Sequence, residues 1–255
     1  MQQIVNWKTP SGSVLQWVDK LSKESHVLIG GTTGAGKSTL LNYFIYRLLL
    51  NAPSENKLIL IDPKGCELVE YASLPHTLRH CDNVAECVRG LNEAANLMEK
   101  RFRIMKLQKL KQSNEPHVYI LIDEWIDLKT QAGKLAEIPT LRLIAKGRAA
   151  NIHVILCTQR PTREIITGAI RANFPAVVAL RCNNKQESRN LIDQQGAELL
   201  PLYGQALYKS PSYRQPQLVK VNQIEPETMQ NIINFWIKQK PSKRGFFNNQ
   251  FWGYF

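Results

Sequence analysis

The chain alternates two kinds of apolar pattern. Short, nearly unbroken runs rich in β-branched residues occur at "HVLIG" (26–30), "KLILID" (57–62), "HVYILID" (117–123), "HVILCT" (153–158) and "AVVALR" (176–181). Strands of a parallel sheet are covered on both faces and read this way, without polar alternation. Between them lie helical patterns. The clearest spans 84–111, where Val84, Val88, Leu91, Ala95, Met98, Phe102 and Met105 recur at steps of four and three. Its basic end, "EKRFRIMKLQKLK", suits a helix C-terminus and predicts a solvated face. A second helix is predicted from "KSTLLNYFIYRLLL" (37–50) and a short amphipathic one from "PETMQNIINFWIKQK" (226–240). The pattern predicts one α/β domain over 1–255: a core of about 25–222, a lead segment 1–24, and a helix with an aromatic tail over 225–255.

Composition narrows the classes. Apolar residues make up 44% of 255, mean hydropathy is −0.28, and no apolar run approaches the ~20 residues that span a bilayer. "MQQIVNWKTP" lacks the charged-then-apolar order of a secretory leader, so a cytoplasmic location is expected. The five cysteines include no C-x-x-C pair, which predicts buried reduced thiols rather than zinc ligands or disulfides. Thirty-three Lys and Arg against 21 Asp and Glu leave a net charge of +12, which makes a polyanion a candidate partner.

The first strand runs into "GTTGAGKS", which fits G-x-x-x-x-G-K-[ST] and opens a predicted helix. Backbone N–H groups of Gly31, Thr32, Thr33, Gly34, Ala35, Gly36, Lys37, Ser38 and Thr39 are placed to curl around phosphates, aided by the helix dipole. Lys37 would reach the β- and γ-phosphates, and Ser38 would bind Mg²⁺. "HVYILIDEW" ends a buried strand in Asp123, a second ligand for that ion. Glu124 follows, placed to deprotonate an attacking water. No "NKxD"-type run supports guanine, so ATP is the expected nucleotide. An extra strand (57–62) in the chain between the P-loop helix and Asp123, with Glu124 beside the Asp, resembles RecA-like P-loop ATPases of the additional-strand, catalytic-Glu type. These have a central, mostly parallel sheet flanked by helices. Gln159, ending "HVILCTQ", is placed to sense the γ-phosphate. Motors of this branch work as rings with shared active sites.

Across residues 26–210 the sequence resembles the motor domain of the FtsK/SpoIIIE family of DNA translocases. The motifs run in order: "GGTTGAGKST", "LIDPKGCELVEY", "LPH" (74–76), "LIDEWIDL", "GRAANIHVILCTQRPTREIITGAIRANFP" and "RCNNKQESRNLIDQQGAELL". The resemblance implies that Arg148 is an arginine finger entering a neighbouring subunit's site, worth ~10³–10⁵ in rate. It implies a homohexameric ring whose pore loops hold double-stranded DNA through Arg160, Arg171, Lys185 and Arg189, with Arg163 as an additional cation. Phosphates rather than bases would be gripped. Asp62 and Lys64 match a family motif of unassigned role, and Trp125 replaces the smaller apolar residue usual after "DE".

The ends are too short for the winged-helix or membrane modules of chromosome-segregating members. The expectation is therefore a stand-alone motor recruited by a partner of a transfer, packaging or plasmid-maintenance apparatus. The aromatic segment 242–255 is either a docking handle or a cover for the core. The alternative is the ATPase of a specialised protein-secretion system. A nucleotide-gated scaffold without turnover fits less well, because Lys37, Ser38, Asp123, Glu124 and Gln159 are all present.

Overall fold

The computed structural model describes residues 24–221 and 223–239. Residues 1–23 of the predicted lead segment and the aromatic tail 242–255 lie outside that range.

Among the described residues, eight strands form one sheet in the order β3-β2-β4-β5-β1-β6-β7-β8. These are β1 (His26–Gly30), β2 (Asn56–Ile61), β3 (Thr77–Cys81), β4 (His117–Ile122), β5 (Ile152–Thr158), β6 (Ala176–Ala179), β7 (Gln205–Lys209) and β8 (Gln217–Lys220). The strands from β3 to β6 pair in parallel, whereas β7 and β8 are antiparallel. All five predicted strands form. Helices α1 (Lys37–Leu49), α2 (Val84–Gln108), α3 (Trp125–Ala132), α4 (Lys134–Lys146), α5 (Gly168–Ala172), α6 (Lys185–Ile192) and α7 (Pro226–Lys238) connect or flank them.

Side-chain alternation along the strands builds two cores, one on each face of the sheet. On β4, Tyr119 and Leu121 face α1 and α7, where Leu40, Phe44, Leu48 and Ile233 wait. Val118, Ile120 and Ile122 face α2, α3 and α4, against Leu91, Met98, Trp125 and Leu143. Both faces of the central strands β1, β2, β4, β5 and β6 are covered, so these strands carry no polar alternation. Among the described residues, no helix is long and apolar enough to cross a membrane.

Four details differ from the pattern. The strand that separates β1 from β4 in the sheet is β5; the 57–62 segment pairs on the outer side of β4 as β2. Helix α2 stops at Gln108 because Lys109 turns left-handed (φ 54°), short of the predicted 111. Its basic end is not wholly solvated. Arg101 is only 3% exposed and donates to the carbonyls of Ala150 (2.6 Å), Asn151 (3.3 Å) and Pro116 (2.8 Å). Burial lowers its pKa to about 10, against the opposing pull of Glu115. Of the five thiols, Cys66 is exposed while the other four are buried.

Candidate functional site

Parallel strands deliver their carboxyl ends to one edge of the sheet, where α/β folds bind ligands. Gly30 pairs with Thr158 across β1 and β5, and Ile122 pairs with Leu156 across β4 and β5. The loop after β1 and the acids after β4 therefore meet at that edge, on either side of the end of β5.

The loop itself depends on glycine in two ways. Gly34 (φ 78°) and Gly36 (φ 94°) take left-handed backbone that β-carbons resist. Gly31 crowds β6: a Cβ there would lie 2.6 Å from Leu180 Cβ and 3.1 Å from the Arg181 carbonyl oxygen. The Thr32 N–H donates to that same carbonyl at 2.7 Å, fusing the loop to the end of β6. Gly36 caps α1 with no side-chain hydrogen bond, and no acid sits in the first turn. The first-turn N–H groups, on Lys37, Ser38 and Thr39, point towards an anion position.

Lys37 is buried and donates to the Asp123 carbonyl and to Asp123 Oδ1, each at 2.9 Å, with Glu124 Oε2 at 3.9 Å. Burial disfavours its charge, but Cys157, Asp123 and Glu124 outweigh burial and hold the ammonium above the ordinary lysine value. Glu124 is 2% exposed. Its Oε1 accepts from the Gln159 N–H at 3.0 Å, while Oε2 is buried with no hydrogen-bond partner among the described residues. Desolvation raises its pKa; Lys37 and the Gln159 N–H pull the other way. A desolvated carboxylate of this kind is a candidate proton acceptor. Gln159 Oε1 accepts from the Thr33 hydroxyl at 2.7 Å, so the P-loop touches the end of β5. The sheet thus brings Lys37, Asp123, Glu124 and Gln159 together beside the P-loop. Ser38, half-buried, and Asp123 carry oxygens of the chemical kind that could hold Mg²⁺.

Two neighbouring residues had no role assignable from sequence. Asp62 is fully buried and accepts four backbone N–H bonds, from Lys64, Gly65, Glu67 and Leu68, which shapes the loop after β2. Lys64 pairs with Asp127 at 2.9 Å, in the first turn of α3 just past Glu124. Trp125, also fully buried, donates its indole N–H to the Ile165 carbonyl at 3.0 Å. This bond ties the residue after Glu124 to the loop that carries Arg160 and Arg163.

Arg148 lies elsewhere. It is exposed on a 3₁₀ turn (Gly147–Ala150) ahead of β5, while the P-loop adjoins the strand's other end. Seven residues of β5 put about 20 Å between them, too far to act within its own subunit.

Arg160, Arg163, Lys185 and Arg189 are exposed at the carboxyl edge. Lys185 and Arg189 are four apart on α6 and share a face. Asn190 of α6 donates to the Pro161 carbonyl at 2.9 Å, which holds helix and loop side by side. A cleft of about 420 Å³ between them is lined by Arg163, Asn184, Gln186 and Asn190, among others. Arg171 departs from the expectation of a DNA-facing cation. Its guanidinium is engaged internally, with the Leu191 carbonyl (2.6 Å), the Phe174 carbonyl (3.4 Å) and Asp193 (3.0 Å). Arg181, exposed beside the P-loop, was not singled out by the sequence, because its contact there is through backbone alone.

Comparison with known proteins gives a consistent picture. The profile of the FtsK/SpoIIIE family matches residues 11–116. The chain is 34% identical over 252 residues to "DNA translocase FtsK 2" of Neisseria meningitidis serogroup A, covering 86% of this chain and 25% of that protein. It is 37% identical over 210 residues to DNA translocase FtsK of Helicobacter pylori strain J99, covering 76% of this chain and 25% of that one. The chain thus spans about a quarter of the length of these curated relatives. Among solved structures, the conjugation coupling protein TcpA of pCW3, a monomer with ATPγS, aligns with a TM-score of 0.73 at 23% identity, over 84% of this chain and 66% of that one. The cytoplasmic domain of the type VII secretion ATPase EccC from Thermomonospora curvata aligns at 0.72 and 20% identity, over 83% and 28%. At these identities the structural likeness speaks for the fold, that of RecA-like P-loop ATPases.

Proposed function

Because the chain belongs to the FtsK/SpoIIIE family, we propose that it is an ATP-driven motor that moves double-stranded DNA as a ring of identical subunits. The observation that carries this reading is the buried Oε2 of Glu124, which has no hydrogen-bond donor among the described residues and stands 3.9 Å from the Lys37 ammonium beside the P-loop. Phosphates entering the P-loop would draw Lys37 from Asp123 by charge. That frees the Asp123 carboxylate to hold Mg²⁺ with Ser38, an ion that neutralises charge on the phosphates when bound. Glu124 Oε2 takes the proton of a water aimed at the γ-phosphorus, and desolvation makes it a stronger base than an ordinary carboxylate. Gln159 sits where the γ-phosphate would be felt, bonded on one side to Glu124 and on the other to Thr33.

Arg148 is read as the finger for a neighbouring subunit, since it stands at the wrong end of β5 for its own site. A head-to-tail ring places the same surface of each copy against the next copy's site. Arg160, Arg163, Lys185 and Arg189 then face the duplex and grip its phosphates without reading bases. The Trp125–Ile165 bond links the catalytic acid's neighbour to that cationic loop, so movement at one has a route to the other. Arg171 serves this surface by bracing α5 against α6 rather than by touching DNA.

The reading extends to service in DNA transfer, packaging or plasmid maintenance through a recruiting protein. Gene neighbours sort these: a relaxase gene would mark transfer, capsid and terminase genes packaging. The direct test is ATP turnover titrated with duplex DNA at rising salt. The expected result is salt-sensitive stimulation that Glu124→Gln abolishes while ATP binding persists. Turnover indifferent to duplex, with no salt-sensitive DNA binding, would favour a protein-transport motor instead.

A further inference from the structure

We propose that Tyr203, exposed on the turn into β7, is the platform on which the purine base of the bound nucleotide stacks. This inference rests on the nucleotide-binding reading above and adds a residue to it.

Strand order decides where a base can lie. The reacting end of the site is on the β5 and β4 side of β1, where Glu124 and Gln159 sit. A nucleotide carries its base at the opposite end of the phosphate chain from the γ-phosphorus. The side of β1 away from Glu124 holds β6 and then β7, and a base lying opposite the γ-phosphorus would be directed there. The P-loop is welded to this side by the bond between the Thr32 N–H and the Arg181 carbonyl.

Tyr203 stands on the turn that leads into β7. Its hydroxyl lies 4.0 Å from where a β-carbon on Gly34 would be, so the phenol tip borders the P-loop. The ring is nonetheless 67% exposed, and Leu202 (37%) and Leu199 (80%) are exposed within the same five residues. Three large apolar side chains exposed within five residues of chain offer an occupant apolar surface. Gly204 after it has φ 81°, and its carbonyl accepts from the Val221 N–H at 3.0 Å, so the turn presenting Tyr203 is fixed by β8's exit. A flat, aromatic ligand gains from a tyrosine face what phosphate and ribose do not, both buried area and stacking. The competing occupant of such a patch is a second copy of this chain, and the two leave different signatures.

The test is calorimetric titration of the full chain with Mg-ATP and, separately, with inorganic tripolyphosphate, for wild type, Tyr203→Ala and Tyr203→Phe. Mass photometry of each variant reports assembly. Base stacking on the ring predicts that Tyr203→Ala weakens ATP about tenfold. Tripolyphosphate affinity should be unchanged, Tyr203→Phe should bind ATP as wild type does, and assembly should be preserved. Equal weakening of both ligands, or of neither, overturns the proposal. So does loss of assembly with the ATP-to-tripolyphosphate ratio intact, which marks a subunit contact. A wild type that binds tripolyphosphate as tightly as ATP removes the base platform while leaving the P-loop reading in place. Binding of neither ligand would sink both.

Discussion

Replacing Trp125 with Phe isolates one bond between the candidate catalytic edge and the cationic loop. The indole is fully buried, and its N–H is donated to the Ile165 carbonyl at 3.0 Å. Phenylalanine keeps most of the apolar volume but has no donor. An acceptor stripped of its partner in a part-buried setting costs about 1–2 kcal/mol. The smaller ring adds a cavity term, and a truncation much milder than Trp→Ala sets this at about 1–2 kcal/mol. The sum, about 2–4 kcal/mol, is within the stability of an ordinary domain, so the variant should fold. For a chain of this size the melting temperature should fall by about 4–16 °C. The damage should also be local. Within the loop, the Ile165 and Ile166 N–H groups bond to the Thr162 carbonyl, and that turn loses its anchor to α3. Hydrogen exchange read by mass spectrometry should speed up across 160–167 and leave β1, β4 and β5 protected. If melting and loop exchange both match wild type, the indole is not a tether and the proposed route from Glu124 to the cations fails.

Two further outcomes follow from buried groups away from the phosphate edge. Arg101→Met takes a donor from the carbonyls of Pro116, Ala150 and Asn151, of which that of Asn151 keeps the Val118 N–H at 2.9 Å, and should cost about 2–3 kcal/mol in chemical denaturation. Because those carbonyls flank the turn bearing Arg148, turnover should suffer more than ATP binding; loss of binding alone would contradict this. His26 is 3% exposed, and desolvation, with His153 and Arg148 adding to it, lowers its pKa from 6.5 to about 3. The unfolded chain therefore binds a proton between those values that the folded chain refuses, so stability is intact above pH 6.5 and is lost as pH falls. At pH 5 the loss from His26 alone is about 2 kcal/mol, and denaturation midpoints flat from pH 7 to 5 would refute the assignment.

How much of this was visible in the sequence depends on where each partner lies. The strands from β1 to β6 that are buried on both faces announce themselves as unbroken apolar runs. β3, as "TLRHC", is an edge strand that is half-exposed for most of its length, and β7, as "QALYK", alternates because it has a wetter face. Both escape a search for continuous apolarity, as does four-residue β8. The P-loop is legible because its chemistry is backbone geometry set by glycines close together in the chain. Arg101, Trp125 and Arg171 are not, since their partners are main-chain carbonyls, several of them 20 to 50 residues away, and no side-chain pattern encodes these. The same reason hid the brace role of Arg171: a basic residue in a family position reads alike whether it faces solvent or folds inward. Conversely, the orphaned oxygen of Glu124 is a property of packing, and only the residue type and its place after Asp123 could be read beforehand.

The central claim is that each catalytic site is completed by the next subunit. It is tested most directly by mixing two variants that are each expected to be inactive, Glu124→Gln and Arg148→Ala, and measuring ATP turnover on duplex DNA. An Arg148→Ala subunit keeps its own Glu124 and can borrow Arg148 from a Glu124→Gln neighbour. The account predicts turnover in the mixture that neither variant shows alone, rising and then falling as the ratio is swept. A mixture as inactive as its components at every ratio, with mixed assembly confirmed, would contradict it.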